Sequence, residues 1–175
     1  MKDSLAMPDG KWSAGSLRIA SRTMSVGDIS EVLGIEPDRS YERGSLISPR
    51  DPDSRRRDST VWIRTSGLAN DRWLDEHLAV LVRLLDGRQE ALGRLAGDCE
   101  VDLFLGFGSE SQGGCVLPAA LLKEIGLLGI DVVLDLYPPS PDDAEEDYLF
   151  TPSSTPTPRS DPPHPPTDPP APPAH

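Results

Sequence analysis

The chain has 175 residues, of which 37% are hydrophobic and 26% are charged, and its formal net charge at pH 7 is -12. This length and composition favour one packed domain of ordinary size. The negative charge argues against binding to nucleic acid or to an anionic membrane surface, because both attract clustered lysine and arginine.

The sequence offers no signal for membrane insertion, metal binding or a cofactor. No run approaches the roughly 18 consecutive apolar residues of a membrane span, and the N-terminal residues contain no apolar signal-peptide core. Cys99 and Cys115 have no CxxC partner and no histidine at ligand spacing, so we expect reduced thiols. Only three of the 17 basic residues are lysines, a bias typical of a GC-rich bacterial genome. We therefore predict a bacterial, cytoplasmic, acidic protein without metal or cofactor.

The first predicted element is a half-buried strand. Residues 1–15 are small and polar and are predicted to form a flexible leader. The segment that follows alternates apolar and polar residues with the period of a strand. This pattern places Leu17 and Ile19 on one face of the strand and Arg18 and Arg22 on the other.

A short helix with defined ends follows the first strand. Ser25 and Asp28 have the spacing of a capping box, with aspartate in place of the more common glutamate or glutamine. Gly34 is suited to the left-handed position that ends a helix, and Pro37 prevents the helix from resuming. The predicted helix spans residues 26–33.

A charged, turn-rich segment separates this helix from the next confident strand. Residues 38–58 interleave arginines with aspartates, which favours a solvated loop over an anion-binding site, and a short strand is predicted near 44–48. Residues 60–65 are β-branched and aromatic and are predicted to form a strand. Alternation places Trp62 and Arg64 together on one of its faces.

The longest periodic segment is predicted to be a helix over residues 72–96 with a bend or break at Gly87 and Gly93. A glycine inside a helix costs roughly 1 kcal/mol relative to alanine. His77 lies beside the apolar stripe and is predicted to be a surface or boundary residue. Six leucines step along one helical face and are predicted to be core: Leu74, Leu78, Leu81, Leu85, Leu92 and Leu95.

The last predicted elements are a strand, a helix and a strand. Residues 100–107 alternate as a strand, and the glycine-rich segment 106–114 contains neither common phosphate-binding motif, so it is predicted to be a flexible turn. A helix is predicted to open at Pro118 and to end at Gly129. Residues 130–137 then alternate as the final strand.

The C-terminal segment has a different composition from the rest of the chain. Fourteen of the nineteen prolines lie from Pro138 onward, together with acidic residues, serines and threonines. Such a segment cannot bury enough apolar surface to offset its ordering entropy. The predicted organisation is a leader at 1–15, one domain at 16–138 and a disordered, acidic, proline-rich tail at 139–175.

The order of these elements predicts an α+β fold. Its sheet would be mixed, largely antiparallel and of four to five strands, with helices packed on one face, because the strands alternate and so have two different faces. The open face would combine arginines, aspartates and aromatics, a mixture typical of protein interfaces, although a solvated face with cross-strand ion pairs is an equal alternative. The predicted binding residues are Arg18, Arg22, Trp62, Arg64, Asp102, Phe104, Asp131, Asp135 and Tyr137.

A pattern of residues spread over about 16–138 resembles that of a known family. The pattern consists of Asp28-Ile29-Ser30-x-x-Leu33-Gly34-Ile35-x-Pro37, then Gly44, Trp62, a long leucine-rich helix and the closing Leu127-Leu128-Gly129-Ile130-x-x-x-Leu134-Asp135-Leu136-Tyr137. The family that it resembles is the bacterial and phage domain of unknown function 4279, and the resemblance implies no catalytic residues.

Three functional hypotheses follow. The first is a non-enzymatic protein that acts by protein contact through its open sheet face, as a homodimer or as a regulatory or immunity-type partner. The second is an enzyme or small-ligand binder in which aspartates and arginines line a cleft. The third makes the acidic tail the working part. The residues of the predicted cleft are Asp102, Asp131, Asp135, Arg18, Arg22 and Arg64.

Overall fold

The computed structural model describes residues 10–109 and 114–137, and the predicted tail and the first nine residues of the predicted leader lie outside these ranges. The described residues form five strands and four helices. The strands are β1 (Lys11–Ser21), β2 (Arg39–Tyr41), β3 (Thr60–Thr65), β4 (Cys99–Ser109) and β5 (Asp131–Tyr137), and the helices are α1 (Val26–Leu33), α2 (Leu74–Leu84), α3 (Gln89–Leu95) and α4 (Ala119–Leu128).

The strands form one mixed sheet in the order β2-β3-β1-β4-β5. All neighbours are antiparallel except β4 and β5, which are parallel and are joined through α4. One continuous core unites buried residues of all four helices with Leu17, Trp62 and Leu103 of the sheet. These three residues lie on the same face: Leu17 is directly opposite Leu103, and Trp62 is opposite Ile19, the next residue of β1 on that face. We call this the helix face and the opposite side the helix-free face. The predicted α+β class, with helices on one face of a largely antiparallel sheet, is confirmed.

The ends of α1 follow from local chemistry. Ser25 Oγ accepts a hydrogen bond from the backbone N–H of Asp28, and the Asp28 carboxylate accepts one from the backbone N–H of Ser25. These bonds satisfy backbone donors that a helix N-terminus leaves free. Gly34 takes the left-handed conformation (φ 67°), which ends the helix. The predicted helix over 26–33 is confirmed.

The predicted break in the long leucine-rich segment is confirmed at Gly87, whereas Gly93 lies within α3 and does not interrupt it. Gly87 adopts a positive φ of 73° between α2 and α3, a conformation that glycine reaches without steric cost. The six predicted core leucines are all buried. The last helix ends at Gly129, as predicted, which is again left-handed.

Three strand predictions need correction. β1 begins at Lys11, so residues 11–15 belong to the strand and not to a leader. The first half of β1 pairs with β4 on one side. On its other side lies the loop before α2, because the backbone N–H of Ser13 donates to the Asn70 carbonyl and the backbone N–H of Ser66 donates to the Gly15 carbonyl. β4 continues to Ser109, so the predicted turn begins later.

The third correction concerns the short strand predicted near 44–48. That segment contributes only an isolated bridge between Leu46 and Arg56, and the strand lies earlier, at β2. β2 pairs with β3 through the register Ser40 to Trp62.

Trp62 lies on the helix face and is completely buried, whereas we predicted it on the open face. Its Nε1 donates a hydrogen bond of 3.1 Å to Ser30 Oγ in α1. Val61 and Ile63, on the other face of β3, are also buried, so alternation within β3 could not reveal which face meets the helices. Arg64 shares the helix face with Trp62 but is partly exposed at the strand end, where it pairs with Asp38 at 2.7 Å.

The contact between α2 and β1 depends on Gly15. A Cβ atom at this position would lie 2.8 Å from the Cβ of His77 in α2, closer than carbon atoms pack. His77 is 1% exposed, so the prediction of a surface or boundary histidine is wrong. A hydrogen bond of 2.6 Å joins His77 Nδ1 and Ser66 Oγ.

Replacing Gly15 by alanine should destabilise the protein, by about 1–3 kcal/mol, because α2 must shift to accommodate the new methyl group. The matched control is Gly126→Ala in α4, where an added Cβ meets no atom within 4 Å. This variant should be about 0.5–1 kcal/mol more stable than the wild type, since alanine favours a helix interior. Urea unfolding measures both changes, and equal effects of the two substitutions would contradict the proposed role of Gly15.

Stability should fall as the pH decreases below 6.5, the ordinary pKa of histidine. Burial, the largest effect, lowers the pKa of His77 in the folded protein; Arg72 acts in the same direction, while Glu76 and the Ala69 carbonyl oppose it. The unfolded chain therefore binds a proton that the folded protein does not, which costs up to about 1.4 kcal/mol for each unit of difference in pKa.

His77→Asn should flatten this pH dependence between about pH 5 and 7, a window above the ordinary carboxyl pKa values of about 4. The free energy of unfolding measured by urea titration at several pH values provides the readout. His164→Asn, a substitution outside the described residues, is the control and should retain the wild-type profile. A wild-type stability that does not change across this window would contradict the prediction.

Candidate functional site

The structure divides the nine predicted binding residues between different surfaces. Trp62 and Arg64 lie on the helix face. Arg22 follows the end of β1 and is exposed. The register of β1, β4 and β5 places the other six on the helix-free face: Arg18, Asp102, Phe104, Asp131, Asp135 and Tyr137.

Arg18 forms a compact cluster at the centre of the helix-free face. Its Nε and Nη2 donate to the two carboxylate oxygens of Asp102, the residue directly opposite on β4, at 2.9 and 3.2 Å. The guanidinium carbon lies 3.9 Å from the centre of the Phe104 ring, a cation–π contact. Only 11% of the Arg18 side chain is exposed.

This cluster neutralises a charge and covers an aromatic ring. The bidentate ion pair with Asp102 satisfies the hydrogen-bond donors on one edge of the Arg18 guanidinium group. Phe104 is 6% exposed, so the prediction that it forms part of an open aromatic surface is wrong. The cluster therefore stabilises the sheet, and its arginine is already engaged by the protein's own carboxylate.

A second aromatic cluster lies at the end of the same face. The rings of Trp12 and Tyr137 stack with their centres 5.9 Å apart and an angle of 20° between their planes. The indole of Trp12 lies over Gly106 and Gly108, where a Cβ would come within 3.3 Å or less of the ring. The Tyr137 hydroxyl donates to the Asp135 carboxylate. We call Trp12, Asp131, Asp135 and Tyr137 the aromatic-acidic patch.

The aromatic-acidic patch is accessible and negatively charged. Trp12, Asp135 and Tyr137 are partly exposed, and Asp131 is exposed beside the Arg18–Asp102 pair. Since Asp102 is neutralised by Arg18, the carboxylates of Asp131 and Asp135 determine the sign of the local potential.

Trp12 was missed by the sequence prediction because it fell within the assigned leader. One feature could have identified it. β4 contains glycines at alternate positions, Gly106 and Gly108, which leave space for a large ring from the neighbouring strand.

The described residues do not assemble the predicted arginine–aspartate cleft. Arg22 and Arg64 lie away from Arg18, and Arg64 already pairs with Asp38. A hollow of about 420 Å³ lies along α1 and is lined in part by Glu31 and Glu36, and none of the predicted residues is among its walls.

Within residues 10–109 and 114–137 no three histidine, cysteine or acidic side chains are grouped so that they could hold a metal ion. Cys99 and Cys115 are free thiols, and burial raises the pKa of Cys99. None of the helices in this part of the chain has the length and apolar composition needed to cross a bilayer.

Comparison with protein families identifies the relatives of this fold. The model of the family described as "Domain of unknown function (DUF4279)" matches residues 11–139, and the chain belongs to this family. The match begins at the start of β1 and so includes the residues that we had assigned to a leader. No curated protein and no solved structure matches the chain.

The Arg18–Asp102 pair can be tested by a double-mutant cycle. Arg18→Met and Asp102→Asn should each lower the free energy of unfolding by about 1.5–3 kcal/mol, since each leaves a largely buried partner without its hydrogen bonds. The double variant should lose less than the sum of the single losses. Arg22→Met is the control and should change stability by about 0.5 kcal/mol or less, because Arg22 is exposed. Additive losses in the cycle would contradict a direct interaction.

Proposed function

We propose that this member of the DUF4279 family is a non-enzymatic protein of the bacterial cytoplasm that acts by binding another protein. The binding surface is the aromatic-acidic patch on the helix-free face. The observation that carries the proposal is the stacked, partly exposed pair of Trp12 and Tyr137. Tryptophan and tyrosine are enriched among the residues that dominate binding energy in protein interfaces.

The patch is suited to binding because its aromatic rings are already held in place. Trp12 rests on the backbone of two glycines, and Tyr137 is fixed by the stack and by its hydrogen bond to Asp135. A partner therefore immobilises few additional rotamers, which reduces the entropic cost of association.

The charge of the patch favours a partner surface that is rich in arginine and lysine. Asp131 and Asp135 can accept hydrogen bonds from cationic side chains, and the exposed ring faces can contact a guanidinium group. The net charge of -12 attracts such a surface over longer distances and increases the association rate. Regulatory and immunity-type proteins act through contacts of this kind, by covering a partner's surface.

Substitutions in the patch should weaken binding without changing the fold. A partner is captured with the wild-type chain, purified and then titrated with the Tyr137→Ala and Asp131→Lys variants. Each substitution should raise the Kd for this partner by roughly tenfold or more relative to the wild type. Glu31→Lys makes the same charge change at an exposed position on α1 and should bind like the wild type, apart from a weak effect of net charge. The wild-type Kd should also rise with salt concentration.

Circular dichroism and urea unfolding of the same variants check that they remain folded. A partner whose affinity is the same for the wild type, Tyr137→Ala and Asp131→Lys would overturn the proposal. Turnover of a small molecule by the purified chain would equally contradict the non-enzymatic part of it.

A further inference from the structure

The two edges of the sheet differ in their protection against pairing with another strand. β2, at one edge, is three residues long and includes the exposed Arg39, and short charged edge strands resist further pairing. β5, at the other edge, is seven residues long, and no strand of the described residues pairs with its outer side. Among the described residues, β5 is therefore the sheet edge that is open to another strand.

The side chains of β5 reinforce this difference. Leu134 and Leu136 lie on the helix face of the sheet yet are 46% and 66% exposed. Among the described residues, the exposed large hydrophobic side chains are concentrated in the β4–α4–β5 unit, and Ile47 is the single exception. The other large hydrophobic residues exposed in this unit are Val116, Leu122 and Leu127. A concentration of this kind marks an interaction surface.

We propose that β5 pairs in antiparallel orientation with β5 of a second copy of the chain, so that two five-stranded sheets become one continuous sheet. A twofold axis perpendicular to the sheet would pass midway between the Leu134 residues of the two copies, and the helices of both copies would then lie on the same side of the sheet. The proposal concerns the outer edge of the sheet; it shares Asp131, Asp135 and Tyr137 with the aromatic-acidic patch but is tested separately from the function proposed for that patch.

The sequence of β5 is complementary to itself in this one register. With Leu134 opposite Leu134 of the second copy, Val132 faces Leu136, and these apolar residues form one cluster on the helix face. On the helix-free face, Asp131 is opposite Tyr137 and Val133 is opposite Asp135. No carboxylate faces another carboxylate, and the tyrosine hydroxyl is near the aspartate of the second copy.

Neighbouring registers that keep the helices on one side are less favourable. With Asp135 on the axis, two carboxylates face each other, and with Val133 on the axis, Asp131 faces Asp135 on both sides. Like charges directly opposite each other destabilise an antiparallel pair. The charges of β5 therefore favour the register centred on Leu134, in which all seven residues also find a partner.

The mass in solution tests the association itself. The full-length chain should show, by size-exclusion chromatography with light scattering, twice the 18.9 kDa of one chain at about 100 µM, a concentration that populates dimers of micromolar Kd. Leu134→Asp, which places two carboxylates on the axis, should shift the mass to that of one chain.

Disulfide trapping tests the register. In a chain with Cys99→Ala and Cys115→Ala, Leu134→Cys should form a covalent dimer on mild oxidation, because residues directly opposite have Cβ atoms about 5 Å apart. Val132→Cys alone should not, whereas an equimolar mixture of Val132→Cys and Leu136→Cys should. Ile47→Cys is the matched control, with the same 46% exposure as Leu134, and should crosslink far more slowly.

Three results would overturn the proposal. The first is a full-length chain with the mass of one copy at about 100 µM. The second is crosslinking of Ile47→Cys or of Val132→Cys alone at the rate of Leu134→Cys. The third is a dimer that appears only after removal of residues 142–175. This result would indicate that the chain's own C-terminal segment, and not a second copy, occupies the outer edge of β5. Loss of partner binding in the patch variants, with the dimer intact, would leave this inference standing.

Discussion

The close approach of α2 to β1 at Gly15 is the constraint on which the arrangement of the sheet and helices depends. Without a side chain at this position, His77 and Leu81 of α2 reach the backbone of the central strand. The loop that leads into α2 then lies along β1, where it hydrogen-bonds to Ser13 and to the Gly15 carbonyl. β1 therefore has a partner on both sides from Ser13 onward, although β3 covers only its second half.

Glycines have the corresponding role on the helix-free face. Gly106 and Gly108 of β4 make room for the indole of Trp12, which in turn contacts Tyr137 at the end of β5. The same strand carries Phe104 one pair further along, beneath the guanidinium of Arg18. On this face β4 thus carries a large ring at Phe104 and leaves space for a second ring over its two glycines, so that the face is partly covered by side chains of the sheet itself without a layer of helices above it.

The elements that sequence could predict are those whose signals are local. The capping pair Ser25 and Asp28 and the left-handed Gly34 act within α1 itself, so its bounds could be predicted. The side of the sheet that Trp62 occupies depends on a hydrogen bond to Ser30, 32 residues earlier in the chain, and on both faces of β3 being buried. The aromatic-acidic patch followed the same division: alternation predicted Asp131, Asp135 and Tyr137, but the register between distant strands was needed to place Trp12 beside them.

The central position of β1 also determines when the domain can fold during synthesis. β1 precedes the other described strands, and of its two partners β3 is made earlier whereas β4 is made much later: Lys11 pairs with Ser109, and Ser21 with Cys99. Pairings between residues so distant in sequence slow folding, because the entropy of closing long loops must be lost before the contacts form. The complete sheet cannot assemble until β4 and β5 have been translated, and until then β1 lacks its strand partner on one side.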